Sequence, residues 1–147
     1  MTEDTAQDCV FCDIAAGHGE ASRVYEDDTV VAFMDLNPVT PGHLLVVPRE
    51  HAIGLDDVDR ATSAHVWSVG QDLARALRRS SLRCEGINLL VCDGEAAFQT
   101  VFHLHLHVVP RYAADGWTLL GEEPPARARP LLDGHARAVR AALVSTD

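Results

Sequence analysis

The sequence predicts an α+β fold: a mainly antiparallel sheet packed on one long helix, with a short helix near the C-terminus. Three observations carry that expectation. Strand-like runs lie on both sides of a single long helical pattern. That pattern has one apolar face. The last strand-like run, His103-Leu104-His105-Leu106-His107-Val108-Val109, alternates polar and apolar residues as a half-buried strand does. The 147 residues amount to one domain on the usual scale of about 100–200 residues. With 47% hydrophobic and 23% charged residues, the chain can bury a core.

The elements follow in order. Residues 1–8 are polar and acidic and are expected to form a flexible tail. Residues 9–16 (CVFCDIAA) make one short helical stretch, ended by Gly17 and Gly19. Residues 23–35 read as a hairpin turning at Asp27-Asp28. Residues 36–42 are a loop broken by Pro38, Pro41 and Gly42, and residues 43–47 a short buried strand stopped by Pro48. Residues 59–82 carry the long helix, where Val66, Val69, Leu73 and Leu77 are spaced by three, four and four. Residues 87–91 are a strand and Asp93-Gly94 a turn. Residues 101–109 are a strand closed by Pro110, and residues 111–130 are irregular. Asp133 is expected to cap a last helix running to Leu143. The domain proper spans residues 9–111. Residues 112–147 are an extension expected to pack on the domain or at a dimer interface.

Composition excludes several functions. The formal charge is −10, from 22 acids against 12 bases, the wrong sign for general binding to nucleic acid or anionic membrane. All 12 bases are Arg, which removes Schiff-base chemistry and the phosphate-binding Lys of a P-loop. Met1-Thr2-Glu3-Asp4 lacks the basic start of a signal peptide, and no run of about 18 apolar residues is present. Four Cys are too few for a disulfide scaffold, so a cytoplasmic protein with reduced thiols is expected.

The histidine run is the most informative segment. On a strand, His103, His105 and His107 share a face while Leu104, Leu106 and Val108 enter the core. Three readings are open: a polar face that happens to carry His, one metal bound by all three, or divided labour. The second is disfavoured, because two strand residues four positions apart have Cα atoms about 13 Å apart, whereas Zn–N bonds are about 2 Å. In the third, one His serves a metal or scaffold, one is a nucleophile and one assists. A neutral imidazole attacks phosphorus well at pH 7, and a neighbour can protonate the leaving group.

Cys9-Val10-Phe11-Cys12 has the spacing of a zinc hairpin or a redox pair. Zinc is preferred, since a redox pair wants a strand before it and a substantial helix after it. A structural zinc needs four ligands. Cys84 and Cys92 do not repeat the spacing, so the remaining two are expected among the histidines. His51, just past Pro48, is placed to reach a metal, and His43 to orient a loop. His18, His65 and His135 belong to no constellation.

Together these segments resemble the histidine-triad (HIT) family of nucleotide hydrolases and transferases, over roughly residues 9–111. The resemblance rests on three blocks. They are Phe33-Met34-Asp35-Leu36-Asn37-Pro38 with Gly42-His43 and Leu45 to His51; Asn88 with Asp93-Gly94; and Gln99-Thr100-Val101-Phe102 leading into the three histidines. It implies a HIT-like fold and cleavage at the α-phosphate of a nucleoside phosphoramidate or dinucleoside polyphosphate. His105 would attack, forming a nucleotidyl-histidine, and His107 would contact the phosphate and leaving group. The positions matching nucleotide contacts are Asp35, Leu36, Asn37, Asn88, Asp93, Gln99, Thr100 and His107. Zinc-containing members imply a structural Zn held by Cys9, Cys12, His51 and His103. A purine nucleotide substrate and a homodimer are implied as well. Competing classes are a nucleotide-binding regulatory module with little turnover and a zinc-stabilised interaction protein.

One position departs from that pattern. Where the family commonly has a small residue, often Gly, this chain has Phe98. A Phe is expected to exclude a backbone conformation that only Gly accepts easily. Its ring would narrow the leaving-group side of the pocket or stack on a base; the alternative has it packed inward, holding the loop.

Overall fold

A computed structural model describes residues 8–143; of the tail expected over residues 1–8, residues 1–7 lie outside them. Helix α1 is Val10–Ala15, and the chain then forms β1 (Arg23–Glu26), β2 (Val30–Met34) and β3 (Leu44–Pro48). The long helix α2 is Arg60–Arg79, followed by β4 (Gly86–Val91), β5 (Leu106–Arg111) and α3 (Arg129–Ala142). The five strands form one sheet in the order β1-β2-β3-β5-β4, and every pairing is antiparallel. The α+β expectation is met.

The sheet is covered on both faces, which is why β2 and β3 are buried almost throughout. On one face α2 lays Val66, Val69 and Leu77 against Val30, Ala32, Val46, Leu106 and Val108. Asp59 caps this helix by accepting from the Thr62 amide at 2.7 Å. Gly70 lets it approach β5: a Cβ there would stand 2.4 Å from Leu106 Cδ2. On the other face α1 packs Phe11 and Ile14 against Val31, Phe33, Leu45 and Val47. A helix of six residues is far too short to persist alone. Its place depends on that packing and on what its cysteines bind.

Four expectations are corrected. The strand expected over residues 101–109 begins only at Leu106 and continues through Pro110 to Arg111. Both neighbours of β5 stop pairing at Leu106, opposite Val46 and Val91. Ahead of it the Leu104 amide bonds to the Ala52 carbonyl at 2.7 Å instead of to a strand. Pro110 fits inside the strand because β3 pairs no further than Val108, leaving no ladder partner for the missing N–H on that side. Helix α2 stops at Arg79, since the Ser80 hydroxyl takes the Leu77 carbonyl at 2.7 Å. Helix α3 starts at Arg129, with Pro130 in its first turn, so Asp133 lies inside it and caps nothing.

The chain divides into two compact units, Met1–Trp117 and Thr118–Asp147. Residues 112–117 lie in the first unit. Arg111 Nε donates to Asp115 Oδ2 at 2.7 Å, and its guanidinium lies 4.9 Å from the Trp117 ring centre. Among the described residues no helix is long and apolar enough to cross a membrane.

Candidate active site and metal centre

The segment 103–107 crosses from the α1 end of the molecule into β5, and its three histidines meet three different environments. His103 is fully buried. Its Nε2 lies 2.8 Å from the Pro48 carbonyl, which can only accept, so Nε2 carries the proton and Nδ1 presents a lone pair. That lone pair faces Cys9 Sγ at 3.3 Å, Cys12 Sγ at 3.5 Å and His51 Nδ1 at 3.2 Å. Cys12 Sγ and His51 Nδ1 are 3.3 Å apart. Zinc bonds of about 2.0–2.3 Å require tetrahedral edges of about 3.3–3.8 Å, which these four separations approach, and all four donor atoms lie within 4.8 Å of one another. Burial pushes His103 down to about 4, keeping it neutral as a ligand must be. Burial first, and the neighbouring Cys9 second, push the Cys12 thiol up to about 12. A divalent cation between the sulfurs reverses that preference. The cluster fits structural zinc, as the sequence implies. Cys2His2 fills all four positions, so the ion would pin α1 to the segment and leave no vacant site for chemistry.

His105 stands next to it, also buried. Its Nδ1 donates to the His103 carbonyl at 2.7 Å, which leaves the lone pair on Nε2. Burial lowers its proton affinity, so the ring is neutral. Phe11 meets the His103 and His105 rings edge-on, at centroid distances of 5.9 and 5.2 Å. The residue between the two cysteines therefore braces the imidazole that follows the zinc ligand. Sequence reasoning missed it, although its place inside the CxxC was the available signal.

His107 lies in β5 with its ring 4.8 Å from that of His105. Its state is set from the far side. The Val39 amide donates to His43 Nδ1 at 3.1 Å, so the His43 proton sits on Nε2. From there His43 donates to His107 Nδ1 at 3.0 Å, and His107 keeps its own proton on Nε2. Burial, then the neighbouring His105 and His43, push His107 down to about 4. Asp35 Oδ2 is 3.4 Å from His43 Nε2, and its Oδ1 accepts from the Asn37 amide at 2.8 Å. Asp35, His43 and His107 also have donor atoms within 4.8 Å of one another. A cation there would need the Nε2 lone pair of His43, and the Val39 amide denies it. The group instead fixes the protons of His43 and His107.

The other matched positions divide. Leu36 is 92% exposed beside Asp35. Asn88 pairs with Val109 and shares the sheet face of His107, with Oδ1 held by Arg111 Nη1 at 2.8 Å. Asp93 packs against Gly54, where a Cβ would come within 2.0 Å of its carboxylate. Gln99 is buried, and its side chain builds the loop. Its Oε1 accepts from the Gly94 amide at 2.8 Å, and its Nε2 donates to the Ile53 and Val101 carbonyls at 2.7 and 3.2 Å. Thr100 beside it is exposed. Phe98 overturns one expectation and removes one alternative. It adopts the left-handed conformation expected to exclude it, at φ 72°, and its ring is 85% exposed instead of packed inward. Away from this cluster His65, read as part of no constellation, bonds Asp27 Oδ2 at 2.6 Å and clips α2 to the β1–β2 turn.

Known proteins place the chain. The HIT domain model matches residues 17–114. An uncharacterised HIT-like protein of Mycobacterium tuberculosis is 46% identical over 102 residues, 69% of this chain and 70% of that one. An adenylylsulfatase of Arabidopsis thaliana is 35% identical over 108 residues, 74% of this chain and 54% of that one. The crystal structure of a zinc-bound histidine-triad protein from Mycobacterium smegmatis superposes with a TM-score of 0.75 at 41% identity, covering 95% of this chain and all of that one. With three histidines placed as described and a zinc-fitting Cys2His2 cluster beside them, the chain belongs to the histidine-triad family.

Proposed function

We propose that the protein is a nucleotidyl-transferring hydrolase, cleaving at the α-phosphate of a nucleoside phosphoramidate or dinucleoside polyphosphate. One observation carries the reading: His105 is buried, neutral and oriented by the His103 carbonyl, so an imidazole lone pair is held ready on Nε2. That nitrogen attacks the α-phosphorus, the bond from phosphorus to the leaving group breaks, and a nucleotidyl-histidine forms. The His43–His107 pair takes up a proton from solvent as the anionic substrate binds, and the leaving atom receives a proton from His107 Nε2. Water then attacks the same phosphorus, the P–N bond breaks, and water returns the proton. An anionic substrate raises the proton affinity of the adjoining His43–His107 pair, which suits it to this exchange.

Asp35 is the ribose-side acceptor in this reading, with Leu36 and Asn37 flanking it, and Thr100 offers its hydroxyl to phosphate. Gln99 serves by holding that loop in shape. Asn88 and Asp93 border the site at the sheet face and the turn. Zinc is structural and takes part in no step. A purine nucleotide is the substrate half, which the adenylylsulfatase relative supports, and the protein acts in the cytoplasm as a homodimer. Turnover of an adenosine phosphoramidate with release of adenosine monophosphate tests the proposal. His105→Asn should lose that turnover by several orders of magnitude and still bind the monophosphate. Binding without turnover by the wild-type protein would make it a regulatory nucleotide-binding module instead.

A further inference from the structure

Among the described residues Phe98 is the one aromatic at positive φ, and no packing of its ring accounts for a bulky side chain there. Its φ of 72° lies in the left-handed region, where a Cβ is disfavoured and a bulky side chain more so. Its ring is 85% exposed, so burial does not offset that strain. The loop beneath it is nonetheless fixed. Ala97 and Gln99 both donate to the Gly94 carbonyl, at 3.0 and 3.1 Å, and Phe98 donates to the Glu95 carbonyl at 3.0 Å. The Gln99 side chain locks the same turn to residues 53 and 101. An aromatic ring is thus held outward on a rigid mount, two residues before Thr100. Strain kept at an exposed position points to a use outside the fold.

We propose that Phe98 is a specificity residue whose ring stacks on a planar aromatic leaving half of the substrate, such as a second nucleobase or an aromatic amine. This rests on the nucleotidyl reading above, which places the phosphate beside Thr100. An exposed ring offers its π-face to any planar group and gains nothing from a small alkyl or inorganic leaving group. It therefore sets which leaving groups are favoured and takes no part in the attack.

Two adenosine 5′-phosphoramidates test it, one of tryptamine and one of n-propylamine. Both leave as primary alkyl amines and differ in the ring. For wild-type protein kcat/KM should favour the tryptamine compound. Phe98→Gly should reduce that ratio roughly 5–10-fold, with a Tm no lower than wild type because the strain is relieved. Phe98→Trp should keep the preference and Phe98→Leu should lose it despite its apolar bulk. An unchanged ratio in Phe98→Gly, or a preference retained by Phe98→Leu, overturns the stacking role and leaves the hydrolase reading standing. A wild-type protein inert on both compounds overturns the hydrolase reading and the stacking role with it.

Discussion

His103 and His107 stand at opposite ends of one five-residue segment and present opposite groups, a lone pair and an N–H. Each ring is pushed down to about 4 by burial, so charge does not distinguish them. The difference lies in the partner of the second nitrogen. At His103 the Pro48 carbonyl takes the Nε2 proton, and a lone pair is presented to the cysteines. At His107 the His43 ring donates a hydrogen bond to Nδ1, and an N–H is presented from Nε2. Between them the His103 carbonyl fixes His105 with its lone pair on Nε2. Identical side chains present a lone pair at His103 and His105 and an N–H at His107, because the Pro48 carbonyl, the His103 carbonyl and the His43 ring, itself fixed by the Val39 amide, each occupy the other nitrogen.

The comparison can be broken first at the metal end. The purified protein should carry about one zinc per chain. Cys12→Ser should lose most of it and lower Tm by about 10 °C or more, since metal binding is part of the folding free energy. Metal analysis and thermal unfolding before and after chelation check this. A protein that melts unchanged without metal would return Cys9 and Cys12 to a plain thiol pair.

The pocket end should respond in the other observable. His107→Asn should reduce kcat by about 10²–10⁴-fold on a substrate with a poor leaving group, as loss of a proton donor does. Zinc content should remain at the wild-type level. Steady-state kinetics beside metal analysis read both at once, and loss of zinc in this variant would mean that the two ends are not separate.

A smaller effect sharpens the electrostatics. The folded protein holds His107 at about 4, below the ordinary histidine value of 6.5, so the unfolded chain binds the proton first. Stability should fall as pH drops from about 6.5 towards 4, by at most about 1.4 kcal/mol per pH unit for this group, and should not depend on it above that range. Denaturant unfolding at several pH values should show a shallower slope for His107→Gln than for wild type. Equal slopes would contradict the burial of this imidazole.

Much of this was legible in the residues. The spacing of Val66, Val69, Leu73 and Leu77 located α2, and the Asp27-Asp28 turn located the first hairpin. Cys9, Cys12, His51 and His103 were assembled from the motif and the resemblance, and the structure brings all four together. The start of β5 was not legible. Alternation of side chains requires only an extended chain, and residues 103–105 alternate although the Leu104 amide bonds to the Ala52 carbonyl in a loop instead of to a strand. The start of α3 was not legible either: residues 111–130 read as irregular and Asp133 as the cap, whereas Pro130 sits in the helix's first turn. The choice of tautomers was invisible for a deeper reason: the Val39 amide and the Pro48 and His103 carbonyls are backbone groups that every sequence contains. Only the fold says which imidazole they meet.

The division of labour is tested most directly by trapping the covalent intermediate. Protein quenched in acid-free conditions during turnover of an adenosine phosphoramidate should gain one adenylyl group per chain by intact mass. Peptide mapping should place it on His105, and His105→Asn should show no adduct while retaining its zinc. An adduct on His103 or His107, or rapid turnover with the modification absent under conditions that preserve phosphohistidine, would contradict the account.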